Sequence, residues 1–127
     1  MQRIESESRY APVIGFAKAV RAGNLVFVAG MSAIDGGGTA VGGTDPYAQA
    51  RECLRKAVEA LAACGASAAD VVQTRMYLVD PQHWEQVGRA HGEVFAGNPP
   101  AATMVVVREL LDPRMLVEIE VLAAVFD

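Results

Sequence analysis

Hydrophobic and polar positions recur along this chain in runs short enough to be read one element at a time. Val20-Arg21 and Leu25-Val-Phe-Val-Ala29 flank Ala22-Gly23-Asn24, a turn whose Gly and Asn can adopt positive φ, so the pattern predicts a hairpin. Between Gly30 and Thr44 six of the fifteen residues are glycine. That stretch predicts a mobile loop, with a short extended piece around Ala40-Val41. Asp45-Pro46 then opens a helix, because Asp can cap free amides and Pro lacks only an N–H that the first turn leaves unused. Ala50, Leu54, Ala57, Val58 and Leu61 follow at helical spacing, and Gly65 supplies the stop, which bounds the helix at about Pro46 to Cys64.

Ser67-Ala-Ala-Asp70 has the form of a short capping turn, and Val71 to Val79, rich in Val, Thr, Met and Tyr, reads as a strand. Asp80-Pro81 repeats the helix-start device. Trp84, Val87, His91, Val94 and Phe95 mark one face of a second helix ending near Gly97, with Trp84 and Phe95 as core or helix-anchoring residues. Two strands complete the chain, Ala102 to Val107 and Met115 to Phe126, around a turn at Asp112-Pro113. The order is β-β-(β)-α-β-α-β-β, an α+β pattern in which two helices can cover only one face of a mixed sheet. In the last strand Val117, Ile119, Val121, Ala123 and Val125 form one apolar row. The opposite row, Leu116, Glu118, Glu120, Leu122, Ala124 and Phe126, is also largely apolar. Sheet faces packed together in a ring of subunits would bury both.

Composition narrows the function classes. A chain of 127 residues suits one domain, 1–127. With 52% hydrophobic and 20% charged residues, it carries less polar material than a small monomer would spread over its surface. The net charge of −4 argues against nucleic acid as a partner, since that affinity rests on Lys and Arg neutralising phosphates. Cys53 and Cys64 lie about 16 Å apart along one helix at 1.5 Å per residue and cannot bridge each other there. His83 and His91 lack a clustered ligand set, so no metal and no cofactor are expected. Neither a signal-type apolar core at the N-terminus nor a run of membrane-spanning length occurs, so no membrane partner is expected and a cytoplasmic, reduced location is the simplest expectation.

The candidate chemistry centres on Glu118 and Glu120, which share one strand face. A carboxylate in so apolar a setting has a raised pKa unless it is paired, which would suit a general acid or base. The alternative is that both pair with Arg75, Arg108 or Arg114 at a subunit rim. His91 could act as a base or be a satisfied packing residue. Arg75 could hold an anionic ligand or pair with a glutamate. The glycines of residues 30–44 form no phosphate-binding fingerprint, and Ser32 and Thr103 have no assignable base.

Ala19-Val-Arg-Ala-Gly-Asn-Leu-Val-Phe-Val-Ala-Gly30, Ala48-Gln-Ala-Arg51, Asp70-Val-Val-Gln-Thr-Arg-Met-Tyr-Leu78, Pro100-Ala101 and Leu116-Val-Glu-Ile-Glu120 occur in an order that resembles the Rid (reactive intermediate deaminase, YjgF-like, endoribonuclease L-PSP-like) family. The resemblance spans nearly the whole chain. It implies a chorismate-mutase-like α+β fold and a homotrimer whose sheets form a central barrel, with small-molecule ligands bound in clefts between subunits. Family members that hydrolyse 2-imino or 2-enamino acids to 2-oxo acids and ammonia carry an arginine directly after the Pro-Ala step, where a fork of donors clamps the substrate carboxylate. Here that position is Ala102. Phe16 stands where the family often has Tyr, Gly88 where Asn is frequent, and Met104 where a small residue or Cys is common; Thr103 keeps the usual Ser/Thr. The resemblance places Phe16, Gly30, Met31, Gly88, Ala102, Thr103 and Met104 about the ligand. Glu118 matches the acidic residue beside the attacking water. The implied activity is hydrolysis, a deamination, of a small imine- or enamine-type metabolite not held by an arginine–carboxylate clamp. The alternatives are a non-catalytic small-ligand binder or sensor, and the ribonuclease activity attributed to some relatives, which the acidic balance disfavours. If Ala102 has no substitute, the protein should act weakly or not at all on 2-iminopropionate-like substrates.

Overall fold

The computed structural model describes residues 1–126. In chain order the elements are β1 (Gln2–Ile4), α1 (Ala11–Ile14), β2 (Ala19–Ala22), β3 (Leu25–Met31), α2 (Pro46–Ala63), β4 (Val71–Leu78), α3 (Trp84–Phe95), β5 (Ala101–Val106) and β6 (Val117–Ala124). The strands make one mixed sheet in the order β1-β2-β3-β6-β4-β5. Every neighbouring pair is antiparallel except β4 and β5, because α3 carries the chain back to start β5 in the direction of β4.

The predicted hairpin is present. Gly23, at φ +61°, turns β2 into β3, while Asn24 keeps a negative φ. Asp45 Oδ1 accepts the Tyr47 and Ala48 amides at 3.0 and 3.4 Å and starts α2. The helix ends one residue before Cys64, where Gly65 at φ +78° lets the Ala66 amide reach back to the Leu61 carbonyl at 2.9 Å. Ser67 donates both its backbone N–H and its hydroxyl to Asp70 Oδ2, closing the expected capping turn ahead of β4.

The helices α2 and α3 lie on one face of the sheet. Leu54, Leu61 and Val87 meet Leu78, Val117 and Ile119 there, all fully buried, and each such side chain stabilises the fold by about 1.5–3 kcal/mol. Val117, Ile119, Val121 and Ala123 of β6 point into this core and the intervening residues do not, so the alternating rows are real. On the uncovered face Leu25 and Phe27 remain 37% and 46% exposed.

Several expectations are corrected. Trp84 is not core: it is 58% exposed at the start of α3, as Val94 is 37% exposed, whereas Phe95 is buried. The Asp80-Pro81 start yields a tight turn over Pro81–His83, and the α-helix proper begins only at Trp84. The extended piece near Ala40 is a single bridge to Ile34. The glycine-rich stretch is not an open loop. Asp35 Oδ1 accepts the Gly37 and Thr39 amides, and Lys56 Nζ donates to the Ser32 and Ile34 carbonyls at 2.8 and 3.0 Å. β6 starts at Val117 rather than Met115, and β1 and α1 were not foreshadowed by any periodicity.

Candidate functional site

Gln49, fully buried on α2, ties together the loops that border β6. Its Nε2 donates to the Gly43 carbonyl at 2.6 Å and the Arg114 carbonyl at 2.9 Å, and its Oε1 accepts the Leu116 amide at 2.9 Å. This one amide therefore anchors the chain at Leu116, just ahead of β6 and two residues before Glu118.

Glu118 leaves β6 on the face away from the helices, opposite Tyr77 of β4. A β-bulge between Val28 and Met31 brings Gly30 of β3 beneath it. A Cβ at Gly30 would stand 2.8 Å from Glu118 Cδ, so only glycine leaves room for the carboxylate in this position. Burial pushes the Glu118 carboxyl above the usual range, and the neighbouring Glu120 charge adds to the effect. Glu120 is compensated where Glu118 is not: Tyr77 Oη donates to Glu120 Oε1, and Arg75 Nη1 lies 3.7 Å from the same oxygen. The bond to Glu120, with burial second, pushes the Tyr77 phenol up. Among the described residues, then, Glu120 is partnered and Glu118 stands free.

The remaining candidates divide between two sides of the sheet. Thr103 of β5 pairs with Arg75 of β4 and shares the face of Glu118. Phe16, half-buried, lies just before β2, whose lead-in follows β3 through an Ala29 N–H bond to the Lys18 carbonyl. Ala102 and Met104 pair with Thr74 and Met76, whose side chains point toward the helices. Gly88 is also on that side, on α3. Met31 is buried in the core, so only its backbone could meet a ligand. Within one chain, Gly30 and Glu118 meet; Gly88, Ala102 and Met104 lie across the sheet from them.

His91 is a satisfied packing residue. Its Nε2 lies 2.8 Å from Thr74 Oγ1, its ring rests 4.6 Å from that of Phe95, and burial pushes its pKa down. The arginines that might replace the missing clamp also separate. Arg114 grips Asp112 through Nε and Nη2 at 3.0 and 2.8 Å and donates to the Gly38 carbonyl, so it is committed to the loops. Arg75 is on the face of Glu118, next to Glu120. Arg108 is exposed beyond the end of β5, roughly 20 Å along the chain from Ala102 at strand rise. The sequence reading missed Tyr77 and Gln49, since a diagonal cross-strand bond and a buried loop clasp follow from register and tertiary contact rather than local pattern.

The family profile described as Endoribonuclease L-PSP matches residues 6–125. The chain belongs to that family. This Rid/YjgF-type protein is 40% identical to an uncharacterized Streptomyces coelicolor protein, SCO2049, over 95% of this chain and 90% of the relative. It is 31% identical to a RutC family protein of Pyrococcus horikoshii over 94% of each chain. The crystal structure of Rv2704 from Mycobacterium tuberculosis, a member of the YjgF/YER057c/UK114 family, superposes with a TM-score of 0.88 at 40% identity, covering 98% of both chains. The α+β fold with its six-stranded mixed sheet is thus the fold of YjgF-type proteins.

Proposed function

We propose that this Rid-type protein is a hydrolase acting on the C=N bond of a small imine or enamine, in clefts between the subunits of a homotrimer, with Glu118 handling the protons. The observation that carries the reading is the half-buried, unpartnered Glu118 carboxylate above Gly30, its pKa raised by burial and by Glu120. In the reaction Glu118 takes a proton from water as the oxygen bonds to the imine carbon, and the nitrogen takes up a proton. The resulting carbinolamine collapses as Glu118 returns its proton to the nitrogen and the hydroxyl gives up its own to solvent, replacing the one the nitrogen took from there, so imine and water become carbonyl and ammonia.

Two features support the trimer. Gly30 with Glu118 and Gly88 with Ala102 lie on opposite sides of one sheet, so only a neighbouring copy docked at the β5 edge can unite them in one cleft. The exposed Leu25 and Phe27 on the uncovered face give such a neighbour apolar surface to bury. Ala102 removes the carboxylate clamp, and losing a charge-assisted two-point contact costs a few kcal/mol, about two decades of binding or more.

Glu118→Gln tests the reading: turnover should be abolished with the fold and trimer unchanged, and unaltered turnover would refute it. A binder or sensor is the second reading, favoured by the lack of polar side chains at Phe16, Gly88, Ala102 and Met104. It predicts ligand affinity without any Glu118-dependent product.

A further inference from the structure

Trp84, Gly88 and His91 are spaced four and three residues apart and so form one stripe along α3. Val87 and Ala90 of the same helix point into the core. The opposite flank of α3 is joined to α2, where Tyr47 Oη donates to Glu93 Oε1 at 2.5 Å and the Arg89 guanidinium covers the Tyr47 ring at 4.2 Å. The stripe therefore faces away from α2, on the side where His91 meets Thr74 of β4. Beyond Thr74 the sheet ends at β5, with Ala102 beside Thr74. Along this stripe Gly88 leaves a gap, since no atom lies within 4 Å of where its Cβ would stand, while the Trp84 indole one turn earlier is 58% exposed.

The charges around the gap are as telling as its shape. Arg89 is turned toward Tyr47, Arg75 lies on the other face of the sheet, Arg114 is held by Asp112, and Arg108 is beyond the strand end. His91 is kept toward its neutral form by burial and already shares a hydrogen bond with Thr74. Among the described residues no lysine or arginine bonds to or stacks on Trp84, Gly88 or His91, the Arg75 that a neighbouring copy would bring with its Glu118 face is already drawn to Glu120 at 3.7 Å, and the aromatic side chain exposed along the stripe is the Trp84 indole.

We propose that the notch at Gly88, between Trp84 and the His91–Thr74 pair beside Ala102, accepts the uncharged aromatic portion of the substrate, so that the protein selects neutral aryl imines over imines of 2-oxo acids. The proposal rests on the hydrolase reading above for its chemistry but concerns recognition, which can be measured alone. An aromatic ring fills the space above Gly88 and stacks on the indole, whereas a carboxylate there would lose water without gaining a cation.

Trp84 is the chain's single tryptophan, so its emission reports on the notch in the intact protein. Benzamide and benzoate have nearly the same shape and differ in charge; acetamide is neutral and lacks the ring. Benzamide should change the emission saturably, benzoate should bind at least tenfold more weakly, and acetamide should have no effect. Gly88→Leu, which fills open space on a helix, should weaken benzamide at least tenfold. Equal or tighter benzoate binding, a non-saturable response, or benzamide binding that survives Gly88→Leu would overturn the proposal. So would emission insensitive to benzamide because a neighbouring copy covers Trp84. Glu118-dependent hydrolysis without benzamide binding rejects the ligand class alone. Benzamide binding without such hydrolysis leaves the notch standing and rejects the hydrolase reading.

Discussion

Gly30→Ala is the most discriminating small change in this protein. The added methyl would lie 2.8 Å from Glu118 Cδ and 3.0 Å from its Cγ and Oε2. Restoring an ordinary contact of 3.4 Å needs a retreat of about 0.6 Å (3.4 − 2.8). The obstacle is the far end of a flexible side chain, and Gly30 has no positive φ to strain an alanine. The carboxylate should therefore swing out toward water while the strand stays put. Stability should change by less than about 1 kcal/mol, because Gly→Ala in regular structure also reduces the freedom of the unfolded chain. Glu118 should lose part of its burial, so its pKa should fall back toward the ordinary glutamate value. Side-chain 13C NMR of labelled glutamate, with Glu118→Gln to assign the resonance, measures that shift without a substrate. Any Glu118-dependent turnover should fall by roughly two decades, the scale expected for a 1 Å misplacement of a reacting group. An unchanged Glu118 titration, or a stability loss above about 2 kcal/mol with the pKa still raised, would refute the close approach from which this follows.

Gln49→Leu should destabilise the fold by about 2 kcal/mol or more, since three part-buried hydrogen bonds to backbone groups are lost at about 0.5–1.5 kcal/mol each; urea unfolding measures it, and a loss under about 0.5 kcal/mol would show that these loops do not depend on the clasp. The Arg114 guanidinium holds the Asp112 carboxyl down at about 2, from an ordinary value of 3.8. That contribution is complete above pH 3.8 and lost as pH falls through about 2, so the stability gap between wild type and Asp112→Asn should be full at pH 7 and close on acidification. Glu118 behaves oppositely. Its folded-state pKa is raised, so stability declines as pH climbs from the unfolded-chain value through the raised one, and Glu118→Gln should be at least as stable as wild type at pH 8 in thermal melts. Asp45→Ala removes the acceptor of the first α2 amides and should cost about 1 kcal/mol.

Local chemistry made part of this architecture readable in advance. Asp45-Pro46 and Gly65 bound α2 because caps act within a few residues, and the alternation in β6 identified its buried row because register with the core has period two. The three residues of β1 and the four of α1 carry no such period. Trp84 sits at the margin of the apolar arc of α3, where only the neighbouring element decides between core and solvent, and no neighbour covers it here. For the site, spacing put Glu118 and Glu120 on one face but could not say which would be paired; Tyr77 reaching diagonally to Glu120 decided that. Nor could spacing reveal that Ala102 and Glu118 lie on opposite sides of the sheet, which depends on β5 pairing in parallel with β4 at the far edge.

Glu118, on the proposed reading, works in a cleft without a clamp for carboxylates. Ammonia release measured side by side on 2-iminopropionate and on a neutral aryl imine, with wild type and Glu118→Gln, tests it most directly. Little or no acceleration is expected with 2-iminopropionate, and clear acceleration with the aryl imine that disappears in Glu118→Gln. Brisk hydrolysis of 2-iminopropionate, or aryl imine hydrolysis that is indifferent to Glu118, would contradict it.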